Sequence, residues 1–476
     1  MAKKCGFFEN LLMNKTPLKI HFPKSALKVL FQDHGLSRIA IIFAPMFTQY
    51  EDVLEYLYTS LPMFQRIGAV AYKSDLTNTI ALCESLDNPQ RKFKSIHIAG
   101  TNGKGSTSHM LASVLQSAGY KTGLYTSPHL KSFTERIRVN GKEVTQAFVV
   151  DFVNRIQTSI DSIQPSFFEI TVAMAFDYFV REQVDIAVIE VGLGGRLDST
   201  NVITPELSLI TNIGWDHTDL LGNTLEKIAA EKAGIIKKNV PVIISERQST
   251  VEKVFIDKAK QENASLCFAS DAYSVNLAAE KGNILFDVFK NKVPVVERLD
   301  LPLQGEYQRK NLPGVLKAVS ILRESGWKIS DQHIVEGLLK VVSQTGLKGR
   351  WQKLSASPLV ICDTGHNIDG IENVVHQLKH LVYEKLFVII GMVKDKDISG
   401  VLQLLPKDAN YYFCQANIPR ALDAVTLAEQ AGKFGLKGVV IPNVNDAIAQ
   451  AKLTATTDDV IFVGGSTFIV AEIEGL

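Results

Sequence analysis

Short runs of consecutive apolar residues alternate along this chain with longer stretches whose apolar positions recur every three or four residues. SIHIAG (95–100), TGLYTS (122–127), DIAVIEVG (185–192), LSLITNIG (207–214) and PVIISE (241–246) are of the first kind and read as buried strands. HMLASVLQSAGY (109–120) and FEITVAMAFDYFVREQ (168–183) are of the second kind and read as helices between them. Such alternation predicts an α/β fold with a mainly parallel sheet. Residues 265–300 break into short strands with turns, a small β-rich patch. Two helices follow, NLPGVLKAVSILRESG and SDQHIVEGLLKVV. A polar, glycine-containing stretch at 343–350 precedes a restart of the pattern, with strands expected in LVICDTG, LFVIIGM, NYYFCQ, GVVIP and DVIFVGG.

The expected division is therefore an ATPase-type domain over 46–344, a linker over 345–350 and a Rossmann-like α/β domain over 351–476. The second domain has no GxGxxG turn after its first strand, so nothing in it points to a dinucleotide. Residues 1–45 show no clear periodicity beyond the apolar run IAIIFAP, whereas YEDVLEYLYTSLPMF (50–64) is helical in pattern. The working protein is expected to start near Met46, with the preceding segment an extension or a mis-assigned start.

Composition narrows the class. A 46% hydrophobic, 21% charged chain of formal net charge +1 is that of a globular protein with no bulk attraction for nucleic acid or an anionic membrane. No stretch approaches the length of a membrane helix. The five cysteines form no CxxC pair, which fits reduced thiols in the cytoplasm. A monomer is expected.

The chemistry begins at HIAGTNGKGSTSHM (97–110), a glycine-rich turn between a strand and a helix. Backbone N–H groups of such a turn converge on an anion, and the helix N-terminus adds partial positive charge. Lys104 can reach outer phosphates and Ser106 can meet Mg²⁺. The strict GxxxxGK[ST] pattern is not met, because Gly100 stands too close to Gly103 and Gly105 separates Lys104 from Ser106. ATP is the ligand this loop favours. DIAVIEVGLGGRLDSTN ends a strand in Glu190, placed as a metal-facing carboxylate or as a partner for Arg196. LSLITNIGWDHTDLLG ends another in Asp216 and His217. Lys232, in EKIAAEKAGIIK, is either a surface lysine or a desolvated amine able to add carbon dioxide as a carbamate.

Ten blocks in order, HIAGTNGKGS, YTSPHL, TERIRVNG, EVGLGGRLDSTN, DHTDLLG, EKAGII, GEYQRKN, GRWQ, DTGHN and GMVKDKD, resemble folylpolyglutamate synthase, often also dihydrofolate synthase, within the Mur-ligase superfamily. The resemblance runs from about Leu61 to Gly465 and implies an ATP-dependent amide ligase. ATP would phosphorylate a carboxylate of dihydropteroate or a reduced folate, and the amine of L-glutamate would displace phosphate from the acyl phosphate. By that likeness Thr101, Asn102, Gly103, Lys104, Gly105 and Ser106 hold the phosphates, and Asn311, Arg350 and Asp363 also contact ATP. Ser127, Glu190 and His217 would ligate Mg²⁺, and Lys232 would carry the carbamate. Phe168, Glu169, Leu197, Asp198 and Ser199 would lie against the pterin and glutamyl chain. Asp363 and His366 are the two candidates for the base that frees the attacking amine. Asn367 follows in the same turn, where Thr364 replaces the family's usual alanine. A second lobe closing over ATP would exclude water from the acyl phosphate. The alternatives are a peptidoglycan-type Mur ligase acting on a nucleotide sugar and a P-loop NTPase without ligase chemistry.

Overall fold

The computed structural model describes residues 26–33, 36–43, 46–63, 75–280, 283–394 and 396–476. Its largest sheet has eight strands in the order Leu266–Phe268, Val242–Ile244, Leu207–Ile210, Lys94–Ala99, Ile186–Glu190, Thr122–Tyr125, Ile137–Val139 and Lys142–Glu143. The first six run parallel and the last two turn antiparallel at the edge. Lys94–Ala99 sits where the chain order changes direction, with Ile186–Glu190 on one side and Leu207–Ile210 on the other. Ligands of open parallel sheets bind beyond the carboxyl ends of strands at such a reversal. The glycine turn 100–103 is that strand's continuation.

Period-two alternation distributes the strand side chains to two cores. Ile96, Ile98, Ile186, Val188, Leu207 and Leu209 face the helices Lys104–Ser117, Gln308–Glu324 and Asp331–Leu339. Tyr125, Ala187 and Ile189 face the opposite way, against Gln146–Arg155 and Phe167–Arg181. Both faces are covered, so these strands read as near-continuous apolar runs. The helix Tyr50–Thr59 begins where the sequence pattern predicts it and buries Val53 and Leu57.

An antiparallel three-stranded sheet, Tyr273–Glu280, Asn283–Lys290 and Val293–Leu299, forms the β-rich patch. The second α/β unit has six strands, ordered Gln352–Ala356, Leu359–Cys362, Val460–Gly464, Leu386–Ile390, Asn410–Phe413 and Gly438–Val440. All its pairs are parallel except the first. The antiparallel edges at 137–143 and 352–356 lie outside the strands expected from sequence, because their residues are mixed in polarity and mostly half-exposed or very short. Of the extension expected at 1–45, most lies outside the described residues. Within it Ala26–Asp33 pairs antiparallel with Leu36–Phe43, so the apolar IAIIF run is a strand. Among the described residues no helix is long and apolar enough to cross a membrane.

Candidate active site

Close approach dictates the glycines of the phosphate loop. Gly103 caps the helix Lys104–Ser117 at φ 87°, and a Cβ there would lie 2.2 Å from Asn311 Oδ1. Gly100 has φ 143° and would place a Cβ 1.8 Å from Thr211 Oγ1. A side chain at either position would push the loop off its neighbours. The turn is pinned from the adjacent strand end: Thr101 N–H donates to Asn212 O at 2.9 Å, and Asn102 N–H donates to Asn212 Oδ1 at 2.9 Å. Lys104 Nζ folds back to donate to Gly100 O at 3.1 Å and Thr101 O at 3.2 Å. Ser106 is buried and its Oγ accepts from Gln308 Nε2 at 3.1 Å, while Gln308 Oε1 accepts from Asn311 Nδ2 at 2.7 Å.

Three ionisable groups gather around this loop. A Cβ on Gly105 would stand 3.4 Å from Arg350 Nη2 and 3.9 Å from both Glu190 carboxylate oxygens. The loop, the strand-end acid and an arginine from the start of the second α/β unit therefore meet at one point. Burial pushes the Glu190 carboxyl up to about 7 despite Lys104 and Arg350. A carboxyl in that condition ionises readily once a cation is beside it. Ser127 N–H donates to Glu190 Oε2 at 3.3 Å. His217 sits at φ 51°, and burial pushes its imidazole down to about 3, leaving it neutral, the form that ligates metals. Glu190 and Ser127 carry oxygen donors of the kind Mg²⁺ and Mn²⁺ prefer, and His217 carries a neutral nitrogen.

Lys232 occupies the last turn of the helix Leu225–Ala233 and is almost wholly buried. Its Nζ donates to Gly100 O at 3.0 Å. Burial, reinforced by Lys104, pushes its ammonium down to about 7. The surface-lysine alternative therefore does not hold: this amine is dry and holds its proton far less tightly than an ordinary lysine.

The second lobe closes on the first through polar contacts. Asn367 and Asn102 exchange side-chain hydrogen bonds at 3.1 and 3.4 Å. Lys396 Nζ lies 2.5 Å from Asp216 Oδ1 and 3.5 Å from His217 Nε2. His366 Nε2 is 3.7 Å from Asp216 Oδ2, and its Nδ1 is 2.9 Å from Thr364 O. Burial alone would raise the Asp216 carboxyl, but His366, His217 and Lys396 together hold it well below the usual carboxylate range. Thr364 Oγ1 accepts from Arg350 Nη1, so the hydroxyl that departs from the family's alanine props the guanidinium. Asp363 is committed locally: Oδ2 accepts from Tyr307 Oη at 2.6 Å and Trp351 N–H at 2.7 Å, and Oδ1 accepts from Gly365 N–H at 2.7 Å.

A cavity of about 240 Å³ opens beside Ser127, His217 and His366 and runs between the lobes. Phe168, Glu169, Leu197, Asp198 and Ser199 all line it. Two of these carboxylates are already engaged. Glu169 closes a capping box with Ser166, accepting from Ser166 N–H at 2.6 Å. Asp198 accepts from Leu193 N–H at 2.9 Å and from Thr200 Oγ1 at 2.5 Å. Buried His97, 2.9 Å from Thr200 Oγ1, supports that turn from the sheet. Phe168 lies against Gly192, where a Cβ would come within 2.4 Å of its ring.

Several residues of this site escape sequence reasoning. Lys396 and Gln308 stand in the quoted GMVKDKD and GEYQRKN blocks, yet a lysine or glutamine in a motif carries no signal of which loop it will reach. Arg136, fully buried, lines the cavity with its Nε donating to His129 Nδ1 at 2.8 Å and its guanidinium 5.3 Å from the Phe167 ring. Only its position in TERIRVNG could have drawn attention to it.

A phosphate loop at a sheet reversal, faced across a polar cleft by a second α/β unit, defines the Mur-type ligases. The Mur ligase middle domain matches residues 98–319, and the Mur ligase glutamate ligase domain matches 349–467. The chain is 32% identical to dihydrofolate synthase/folylpolyglutamate synthase of Bacillus subtilis, over 90% of this chain and 99% of that protein. It superposes on Escherichia coli FolC in complex with DHPP and ADP with TM-score 0.76 and 31% identity, over 89% of this chain and 96% of that one. A bifunctional folylpolyglutamate synthase/dihydrofolate synthase with Mn, AMPPNP and L-glutamate bound gives TM-score 0.75 and 30% identity, over 89% and 97%. This chain belongs to the folylpolyglutamate synthase/dihydrofolate synthase family of ATP-dependent ligases. The peptidoglycan-ligase and non-ligase NTPase alternatives fall with that assignment.

Proposed function

We propose that the chain adds L-glutamate both to dihydropteroate and to the glutamyl tail of reduced folates, using ATP to make the acceptor carboxylate an acyl phosphate. The observation that carries the reading is the meeting of Gly105, Glu190 and Arg350 where the phosphate loop faces the start of the second α/β unit. Charge on a transferring phosphoryl group is stabilised mainly by positioned cations and amides, and covalent help is unnecessary. The loop amides of 101–106 and Lys104 cradle the phosphates; Asn311, Arg350 and Asp363 border the nucleotide, Asp363 by fixing Tyr307 and the Arg350–Trp351 backbone.

Ser127, Glu190 and His217 would hold Mg²⁺, which would supply positive charge to stabilise the transferring phosphoryl group. Lys232 takes up carbon dioxide on its neutral amine, an N–C bond forming as one N–H proton leaves to solvent, and the resulting anion adds a further negative group beside Gly100. Arg136 faces the cavity as the cation for an acceptor carboxylate, and Phe168 offers the flat apolar surface a pterin needs. Of the two base candidates, His366 is favoured. The three donors on Asp363 hold its oxygens in place, whereas His366 lines the cavity with Nδ1 at a carbonyl and Nε2 beside the Asp216 carboxylate. The free thiols Cys83, Cys267, Cys362 and Cys414 suit the cytoplasm.

The deciding assay incubates the protein with ATP and glutamate, adding dihydropteroate or tetrahydrofolate in parallel. Phosphate release dependent on glutamate and on each acceptor is expected, with labelled acceptor-carboxyl oxygen appearing in the phosphate. Release that ignores glutamate, or label that stays in the acceptor, would overturn the mechanism.

A further inference from the structure

Away from the cavity, a second cluster joins the lobes. Glu306 belongs to the segment entering the helix Gln308–Glu324, and His376 and His380 lie one turn apart at the end of the helix Ile368–Lys379. His376 Nδ1 is 3.1 Å from Glu306 Oε2, and His380 Nδ1 is 3.3 Å from Glu306 Oε1. One donor atom from each of the three residues lies within 4.8 Å of the other two. We propose that this is a binding site for a borderline divalent cation of the zinc class, and that the ion ties the two lobes together.

Ligand chemistry selects the ion. Two imidazole nitrogens and one carboxylate suit Zn²⁺, Co²⁺ or Ni²⁺, whereas Mg²⁺ and Ca²⁺ prefer all-oxygen sets. Spacing of i and i+4 brings the two rings onto one helix face, as two-histidine metal helices require. The rings already pack edge to face at 4.4 Å between centroids. Glu306 is held in place independently of the histidines. Gln377, buried between them in sequence, accepts from Glu306 N–H at 2.9 Å through Oε1 and donates to Gln304 O at 2.8 Å through Nε2. The backbone that carries the carboxylate is thus fixed on one lobe by the same helix that carries both imidazoles on the other. Such prior fixing removes much of the ordering cost of ligation. The histidine side chains are more than half exposed, leaving room for water as the fourth ligand. Because Glu306 and the histidines belong to different lobes, an ion here resists their separation.

Co²⁺ reports the site, since tetrahedral nitrogen and oxygen ligation gives visible d–d absorption. The full chain is titrated with Co²⁺ in excess Mg²⁺ and ADP, so that the site at Glu190 and His217 is taken. Wild type is expected to develop one saturating absorption. H376A/H380A and E306Q should bind Co²⁺ more weakly by at least the ~10–100-fold typical of losing an outer-shell partner. Micromolar Zn²⁺ should raise the melting temperature of wild type and slow its turnover, reversibly with a chelator, and do neither to H376A/H380A, whose turnover with Mg²⁺ and no Zn²⁺ stays at the wild-type value. Titrations indistinguishable between wild type and both variants would reduce the cluster to a hydrogen-bonded trio and overturn the site. Equal slowing of wild type and H376A/H380A by Zn²⁺ would overturn the tie between lobes.

Discussion

Replacing Lys232 with methionine separates what this residue does for the fold from what it does for the reaction. The ordinary lysine value of 10.5 falls to about 7 on burial. At roughly 1.4 kcal/mol per tenfold change, the buried site disfavours the ammonium by about 4 kcal/mol near pH 7. A methionine side chain would carry no such penalty but would remove one of the two donors on Gly100 O, leaving only Lys104 Nζ, a loss of about 1 kcal/mol. Lys232→Met is therefore expected to stabilise the protein by about 3 kcal/mol at neutral pH in carbon-dioxide-free buffer. The sign with pH follows from proton counting. Between about pH 7 and 10.5 the unfolded chain binds a proton that the folded chain does not, so wild-type stability rises with pH across that window. The advantage of the variant should shrink to under about 1 kcal/mol near pH 9.5. Urea unfolding of both proteins at the two pH values measures it. Activity should move the opposite way, with glutamate-dependent phosphate release nearly abolished, and in the shorter Lys232→Ala variant partly restored by short carboxylic acids. A variant less stable than wild type at pH 7, or a difference flat with pH, would show that this amine is not held neutral by burial.

Lys104→Ala should lower kcat for phosphate release by about 10²–10³-fold, the scale of one electrostatic group at a transferring phosphoryl; unchanged turnover would remove Lys104 from the chemistry. Gly103→Ala meets Asn311 at 2.2 Å in a left-handed turn, adding about 1–2 kcal/mol of backbone strain, and should weaken ATP binding measured by calorimetry at least about tenfold. Asp363→Asn keeps one acceptor oxygen for three donors, so thermal and urea unfolding should show a loss of about 2–4 kcal/mol, with a raised KM for ATP as Trp351 and Arg350 shift.

Strand and helix placement was legible because burial on both sheet faces demands unbroken apolar runs, as at Ile186–Glu190 and Leu386–Ile390. The edges were not, since Lys142–Glu143 and Gln352–Ala356 pair through backbone groups that leave no mark on side-chain polarity. The site divided in the same way. Lys104, Glu190 and His217 follow apolar strands or a glycine turn, so local pattern delivers them to the sheet's carboxyl edge. Lys396 reaches Asp216 from a residue separation of 180, and nothing local records such a meeting. Asp198 and Glu169 stand at the cavity as expected, yet their oxygens are taken by backbone caps. Residue type and position alone do not distinguish a carboxylate that shapes a wall from one that meets a ligand.

The lobes meet through polar groups where each sheet's interior is apolar, and that contrast bears on turnover. Asp216 and Lys396 keep only 12% and 9% of their side-chain exposure when paired. Desolvating two such charges offsets most of their attraction, so the pair adds little net stability to closure. The amide exchange between Asn102 and Asn367 is similar, because water replaces each bond when the cleft opens. An apolar seam of the same area would hold the cleft shut between turnovers and trap product. A polar one costs little to open but is specific in register, since breaking it on one side only leaves a buried charge unpaired. His366 and His217 lie within that same register, both beside Asp216. Closure therefore carries His366 of the second lobe to Asp216, beside which His217 of the first already stands.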